Sequence, residues 1–408
     1  MARVWLTSRG VIHIRIFMRP DPTVYTTSAI KGDDIAYPSA IPFLVVHLGC
    51  LAALWTGVTW STIALCAGLY GLRMFAVTAG YHRYFSHRAY STSRTFQFAL
   101  AFLAQSTAQK SVLWWAAKHR HHHLHSDTPE DVHSPVHKGF LYSHAGWIFA
   151  RRHDATDLTK VPDLTRYPEL MWLHKYEILP ACILAGICFL AEGWPGLVVG
   201  FLWSTVLVYH ATFCINSLAH VRGRKRYVTG DESRNNGVLA LLTMGEGWHN
   251  NHHACPSSAR QGFRWWEIDI TWYVLKLLAT FGVVRNLKAP SPRVLRNEQR
   301  LGARAVQKTA EQLAERFDPE RIAQAIASAM PAPDLSGLRE ALARTHQRAS
   351  ETFASLHLPH IPTRGELAAQ AKAMFARTPS LDEIVDRGHE LLLTSIGRHL
   401  AIPAAIRT

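Results

Sequence analysis

The stretch Gly245-Glu246-Gly247-Trp248-His249-Asn250-Asn251-His252-His253 constrains this chain more than any other. Its histidines have the spacing H-x-x-H-H, and on a helix positions i, i+3 and i+4 share one face. Three imidazoles on one face, among polar Asn and small Gly, suit a metal ion better than an apolar core. The same spacing occurs at His119, His122 and His123, and a further pair, His82 and His87, sits in Tyr81-His82-Arg83-Tyr84-Phe85-Ser86-His87. Histidines in three clusters so far apart can meet only in a folded site, and 24 His in 408 residues is well above chance usage.

Hydropathy places those clusters. Apolar runs fill the region from about residue 41 to 220, and four spans are expected at about 38–57, 60–80, 178–192 and 196–218. The first two approach the roughly 20 residues a helix needs to cross hydrocarbon. The short links near residues 58 and 193 lack Lys and Arg, whereas the N-terminal arm, the 81–177 region and everything after 220 are basic. The positive-inside rule then gives two hairpins, with both termini and all the histidine clusters cytoplasmic. The fold class is therefore all-α: a cytoplasmic arm (1–35), a membrane domain with a cytoplasmic helical cap (36–289), and a soluble helical extension (290–408) in which no chemistry is visible.

Within the spans, His47 and His210 read as packing residues, and Arg73 either snorkels or pairs inside the bundle. The i, i+5 spacing of His82 and His87 is not ideal for one helical face, so the backbone is expected to loosen there. Residues Arg94 to Trp115 read as one helix, partly sunk in the interface or lining a cavity. Formal charge is +14. That excess flanks apolar spans, which favours membrane lipid headgroups and an anionic substrate over nucleic acid. The six cysteines form no C-x-x-C pair and read as reduced, packed thiols. The first 20 residues have no apolar core followed by a small-residue cleavage site, so no signal peptide is expected.

Ligand type narrows the metal. Zinc takes three or four ligands, and no H-E-x-x-H is present. Copper more often brings Cys or Met beside His. Haem between His47 and His210 would leave the clusters unexplained. So many imidazoles suit two octahedral-leaning ions such as iron, although the Glu-x-x-His motif of soluble di-iron bundles is absent. A metal or haem carrier is disfavoured, because transporter sites lie near the membrane midplane and these clusters lie at helix ends.

The segments His82–His87, His119–His123 and Gly245–His253 resemble the three histidine boxes of the membrane acyl-CoA desaturases of the stearoyl-CoA, delta-9 type. Asn216-Ser217-Leu218-Ala219-His220 resembles the segment that supplies a ninth histidine and a water-linked asparagine, and Arg264-Trp265-Trp266-Glu267-Ile268-Asp269 looks like the bacterial branch. The likeness covers roughly residues 35–288. It implies iron ligands at His82, His87, His119, His122, His123, His220, His249, His252 and His253, with Asn216 reaching one metal through water. Two iron ions would use O2 and external electrons to place a cis double bond, at delta-9, in a long-chain acyl-CoA. A phospholipid-linked acyl substrate and a histidine-box lipid hydroxylase are the alternatives. No His-Pro-Gly-Gly haem segment is present, so a separate carrier of ferredoxin, rubredoxin or cytochrome b5 type, with its reductase, is implied. A bacterial inner membrane is the implied location.

Around the boxes, His121 points off the ligand face, and His125, His133, His137 and His144 read as solvated or supporting residues. Asp127 and Glu246 are candidate acceptors for imidazole N–H groups. Trp114, Trp115, Phe102 and the aromatic side of the fourth span are candidates to line an acyl tunnel. Arg83, Lys118, Arg120 and Arg224 are candidates to meet an anionic head group.

Overall fold

The computed structural model describes residues 2–6, 12–16, 37–329 and 360–401. It is almost wholly helical. Among the described residues strands are confined to two short antiparallel pairs, Ala2–Leu6 with Ile12–Ile16 and Ser91–Thr92 with Val284–Arg285. The first pair gives part of the expected loose arm a strand pairing, and the rest of that arm lies outside the described residues, as do Pro331, Pro333 and Pro359 of the extension.

Two helical runs, Trp60–Ser86 and Leu179–His220, are long and apolar enough to cross a membrane. The second is not straight. Glu192 and Gly193 leave helical geometry, with Gly193 at φ +62°, so the chain turns sharply between Leu179–Pro195 and the helices that follow. That turn is where the sequence places the link between the last two spans. The expected first span is a shorter apolar run, Ala40–Thr56. Large apolar side chains stand exposed along these helices, among them Leu48, Leu54, Trp55, Trp60 and Leu190.

Arg73 does not snorkel. It is fully buried and donates to the Thr205 hydroxyl at 2.8 Å, the Ser106 carbonyl at 3.2 Å, the Phe201 carbonyl and the Ser204 hydroxyl. These bonds tie the Trp60–Phe75 helix to the Ser204–Asn216 helix, because a buried guanidinium must find acceptors wherever the bundle offers them.

The expected single helix from Arg94 to Trp115 is two. Arg94–Gln105 stops, and Val112–His125 begins afresh behind an N-cap at Ser111, whose hydroxyl accepts from the Trp114 N–H. Between them Ala108 and Lys110 hold positive φ values of 56° and 68°. The polar Gln109-Lys110-Ser111 run that looked like a blemish in a helix is a corner. The main core packs the Ala76–Ser86 segment against both helices, with Tyr81, Phe85, Leu100, Ala104, Leu113 and Ala117 buried in it.

Beyond residue 300 a separate apolar core joins the helices Ala303–Glu315, Pro319–Ala329, Arg364–Met374 and Leu381–Ala401 through Leu313, Ile326, Leu367, Ile384 and Leu392.

Candidate metal centre

Each histidine box reaches the site by a different local device. Ala76–Ser86 winds in the wider π fashion, in which bonds run from i to i+5. The His87 N–H accordingly meets the His82 carbonyl at 3.2 Å. The wider turn brings i and i+5 to one side, and the His82 and His87 rings lie 5.0 Å apart. The anticipated loosening is thus a change of helical pitch. The second box rides the last turns of Val112–His125. The third rides the short helix His249–Ala254, entered through Gly247, where a Cβ would collide with the backbone of Asn236 and Ala240.

Together the boxes form two groups, each able to hold a metal ion: His82, His87, His119, His123 and His252, and His122, His220, His249 and His253. All nine expected histidines are present. In the first group Nε2 atoms converge, with His87–His119 at 2.8 Å, His252–His123 at 2.9 Å, and His82–His252 and His119–His123 at 3.0 Å. In the second, Nε2 of His220 and His249 are 3.0 Å apart. The H-x-x-H-H boxes do not act as units. His119 and His123 serve the first group while His122 serves the second, whereas His249 and His253 serve the second while His252 crosses to the first.

Carboxylates fix the outward nitrogens. Glu246 holds His82 Nδ1, Asp127 holds His220 Nδ1 at 2.8 Å, Asp131 holds His122 Nδ1 at 3.0 Å and Asp231 holds His253 Nδ1 at 2.7 Å. A ring that gives its Nδ1–H to a carboxylate keeps the Nε2 lone pair for a metal. The His253 Nε2 is buried and has no hydrogen-bond partner, as metal ligation requires of it. Burial first, then the neighbouring imidazoles, hold His119, His123, His249 and His252 well below the ordinary imidazole range, so they are neutral at pH 7, the form that binds metal. Asp127 and Glu246 were legible as acceptors. Asp131 and Asp231 were not, since nothing in their spacing ties them to the boxes.

One buried network supports the first group. Arg83, fully buried, donates to Glu246 Oε1 at 3.1 Å, to Asp269 Oδ2 at 3.1 Å and to the Ala259 carbonyl at 2.7 Å. Gln261 donates to Glu246 Oε2 at 2.9 Å. The third box is pinned by its asparagines. Asn250 accepts from the Arg226 and Tyr227 N–H groups, and Asn251 donates to the Gln261 carbonyl and to Glu267.

The supporting histidines sort as follows. His121 lies outside both groups, with the Glu130 carbonyl and Lys160 as its partners. His133 is buried beside His122, with ring centres 4.4 Å apart, and with His122 and Asp131 it forms a third group able to hold a metal. His47, His210 and His144 form a hydrogen-bonded chain, with Nε2–Nε2 of His47 and His210 at 3.1 Å and His210 Nδ1 to His144 Nε2 at 3.0 Å. That chain gives no two-ring axial geometry for haem.

A cavity of about 280 Å³ opens beside the first group, lined by Phe43, Gln109, Trp114, Trp115, Lys118, His119, Tyr209, Phe213 and Asn216 among others. A smaller one, of about 40 Å³, continues inward and shares Trp115, His119, Thr212 and Asn216 while adding His82, His122 and His249. Trp114, Trp115 and the aromatic side of the last span line the space as expected. Phe102 does not, because it packs on the main core instead. Three of the four expected head-group cations are elsewhere. Arg83 is buried on Glu246 and Asp269. Arg120 is bound to Asp163 and to the Ser86 and Phe85 carbonyls. Arg224 is exposed on a bridge to Asn235, away from the cavity. Lys118 alone of them reaches the cavity wall, 6.0 Å from the Trp114 ring centre.

Comparison with known proteins gives a match to the family model described as fatty acid desaturase over residues 58–286, more than half of the chain. An sn-1 stearoyl-lipid 9-desaturase of Anabaena variabilis is 35% identical over 266 residues, covering 64% of this chain and 97% of that protein. An acyl-CoA 5-desaturase of Anemone leveillei is 36% identical over 250 residues, 60% of this chain and 77% of that protein. An sn-2 palmitoyl-lipid 9-desaturase of Nostoc is 33% identical over 267 residues, 64% and 93% respectively.

Proposed function

The chain belongs to the fatty acid desaturase family and is an oxidoreductase, and on that premise we propose that it inserts a cis double bond, at delta-9, into a saturated long-chain acyl-CoA. The observation that carries the reading is the convergence of nine histidines, five buried and four half-buried, into two groups beside a largely apolar cavity. The proposed ligands of one iron are His82, His87, His119, His123 and His252. Those of the other are His122, His220, His249 and His253, with Asn216 linked through water.

Unactivated C–H bonds are beyond side-chain acid–base chemistry, and the iron pair supplies the O2 activation and hydrogen removal that they require. The chain's own residues do the rest. The four carboxylates hold the Nδ1–H groups outward and keep the Nε2 lone pairs on the metals. Trp114, Trp115, Tyr209 and Phe213 form an apolar slot that holds an acyl chain and excludes water. The depth of the chain beyond Trp115 determines which carbons lie against the irons. Lys118 at the cavity wall is the group placed to meet a phosphate-bearing head group. Overall, O2 becomes two waters, with two electrons from the C–H bonds and two from a separate ferredoxin, rubredoxin or cytochrome b5 type carrier.

The proposed topology has four spans in two hairpins, a membrane domain at 36–289, and both termini with the site on the cytoplasmic side of a bacterial inner membrane. Its support is the break at Gly193, the belt of exposed apolar side chains and the basic residues on the histidine side. A lipid-linked acyl chain is the second reading, favoured by the stearoyl-lipid relative that the chain matches over nearly its whole length. Expression in a host with simple lipids, with the new double bond located by mass spectrometry, tests the reaction. A delta-9 cis bond supports it, whereas a hydroxylated product overturns it. Supplying purified membranes with acyl-CoA or with saturated phospholipid separates the two head groups.

A further inference from the structure

The family match ends at residue 286, yet the helical unit beyond it is packed against loops that flank the histidine clusters. Resting on the di-iron reading above, we propose that this unit is a built-in brace for the carboxylates behind the second histidine group, with Lys308, Arg304 and Val228 as its positioning residues.

Two contacts make the brace. Val228, from the loop between His220 and the third box, is buried in the extension's own apolar core with Leu313, Ala314 and Ile384. Three residues on, Asp231 holds His253 Nδ1. Between them Gly230, at φ +75°, lets the Ala303–Glu315 helix come so close that a Cβ there would fall 2.7 Å from Lys308 Cβ. Extension and loop are therefore in backbone-level contact.

The second contact is at the carboxyl end of Val112–His125, the helix that carries His119, His122 and His123. Lys308 donates to the Ser126 carbonyl at 3.2 Å, and Arg304 donates to the Leu124 carbonyl. Cations at this end satisfy last-turn carbonyls and complement the helix dipole. Directly after it come Asp127, holding His220, and Asp131, holding His122. Burial, with Arg304 beside it, holds the Lys308 ammonium below its ordinary range, while Asp231, Asp127 and Asp131 oppose that shift, so all three carboxylates act on it. Among the described residues the first group's carboxylate, Glu246, has Arg83, Gln261 and His82 as its partners and none from the extension.

The test is iron retention by the full-length, iron-loaded protein under chelator challenge, read beside hydrogen exchange. In Lys308→Ala and in Val228→Ser, one iron per chain is expected to leave at least ~10-fold faster, the size of effect known for groups that support metal ligands. The other iron should leave at the wild-type rate. Amide exchange should rise over 126–133 and 227–233 and stay unchanged around Arg83 and Glu246. Lys308→Arg should restore retention, and Lys372→Ala, an exposed lysine of the extension away from the contact, should change nothing. Equal loss of both irons, or wild-type retention in Lys308→Ala, overturns the brace. Should Val228→Ser fail to fold, Arg304→Ala replaces it as the second variant. Wild-type protein that takes up no iron defeats the di-iron reading instead, and the exchange pattern still decides the brace.

Discussion

His82 and His253 both give Nδ1–H to a buried carboxylate, but the two carboxylates are held by different kinds of structure. Glu246 stands in a fixed lattice of Arg83, Gln261 and Asp269, inside the main core and close to the π-wound segment. Asp127, Asp131 and Asp231 stand on loops that follow helix ends, and they are ordered by backbone N–H groups, hydroxyls and the extension. The Glu232 N–H and the Ser134 hydroxyl both reach Asp127 at 2.7 Å, and the Ser233 N–H reaches Asp231 at 3.1 Å. A salt-bridged lattice is rigid and intolerant of a missing charge. Loop carboxylates are cheaper to disturb singly and depend on what pins the loop. The two halves of one site should therefore fail in different ways.

The largest effect tests what the groups share. His252→Ala takes from the first group a histidine carried by the box that chiefly serves the second. It is expected to abolish unsaturated product in the expression host while the protein remains folded by circular dichroism. Product formation by that variant would remove His252 from the ligand set.

The lattice should break next. Arg83→Met leaves Glu246 and Asp269 buried without their cation, and a broken buried pair costs about 3–5 kcal/mol. A fall in thermal stability with early loss of the first metal is expected, and unchanged melting would show that the lattice does not carry that half. The neutral replacements Glu246→Gln and Asp231→Asn should each lower iron affinity about 10–100-fold. In Glu246→Gln the first metal should weaken, and in Asp231→Asn the second, as read by stoichiometry in chelator titrations.

Acid separates the two kinds of support further. The folded His119, His123, His249 and His252 bind protons well below the ordinary value near 6.5, so below that pH the unfolded chain takes up protons that the folded chain does not. The share of cap stability that these four rings control should drop as pH falls below about 6.5, while His220, which burial lowers but Asp127 lifts to about 9, gives up its share as pH rises toward 9, and denaturant melts at several pH values will read both slopes.

The smallest effect belongs to Asp163, which binds Arg88 beside the first box and Arg120 within the second. Burial raises its carboxyl, but the two guanidiniums outweigh that and hold it at about 2, down from 3.8. Its contribution is thus complete above about pH 4 and lost as pH falls toward 2. Being part exposed, this cluster is expected to contribute about 1 kcal/mol, and Asp163→Asn should lower the unfolding free energy, read by denaturant melts, by that much at neutral pH.

Much of this was legible beforehand because histidine at fixed spacing is rare and chemically specific. The ligand candidates, the apolar frame and the helical class follow from residue type and period. Phe102 and the corner at Ala108–Lys110 were not legible. A phenylalanine fits core and tunnel equally well, and a polar run in an apolar helix looks the same whether it faces a cavity or ends the helix. The three arginines misplaced at the head group show the same limit, since charge marks a residue as needing a partner without saying which one.

What the sequence by itself determined is that these imidazoles recur at fixed spacing at the polar ends of apolar helices, a pattern suited to holding metal. Only the tertiary structure decided how they divide. Side chains at i and i+4 go to one group and the side chain at i+3 to the other, in opposite senses in the second and third boxes. Ring direction depends on how neighbouring helices cross and on which carboxylate waits behind each Nδ1. Those carboxylates are Asp127, Asp131, Asp231 and Glu246, whose places are set by loop paths, and Val228 and Lys308 bring a helical unit dozens of residues further along against the loops of the first three.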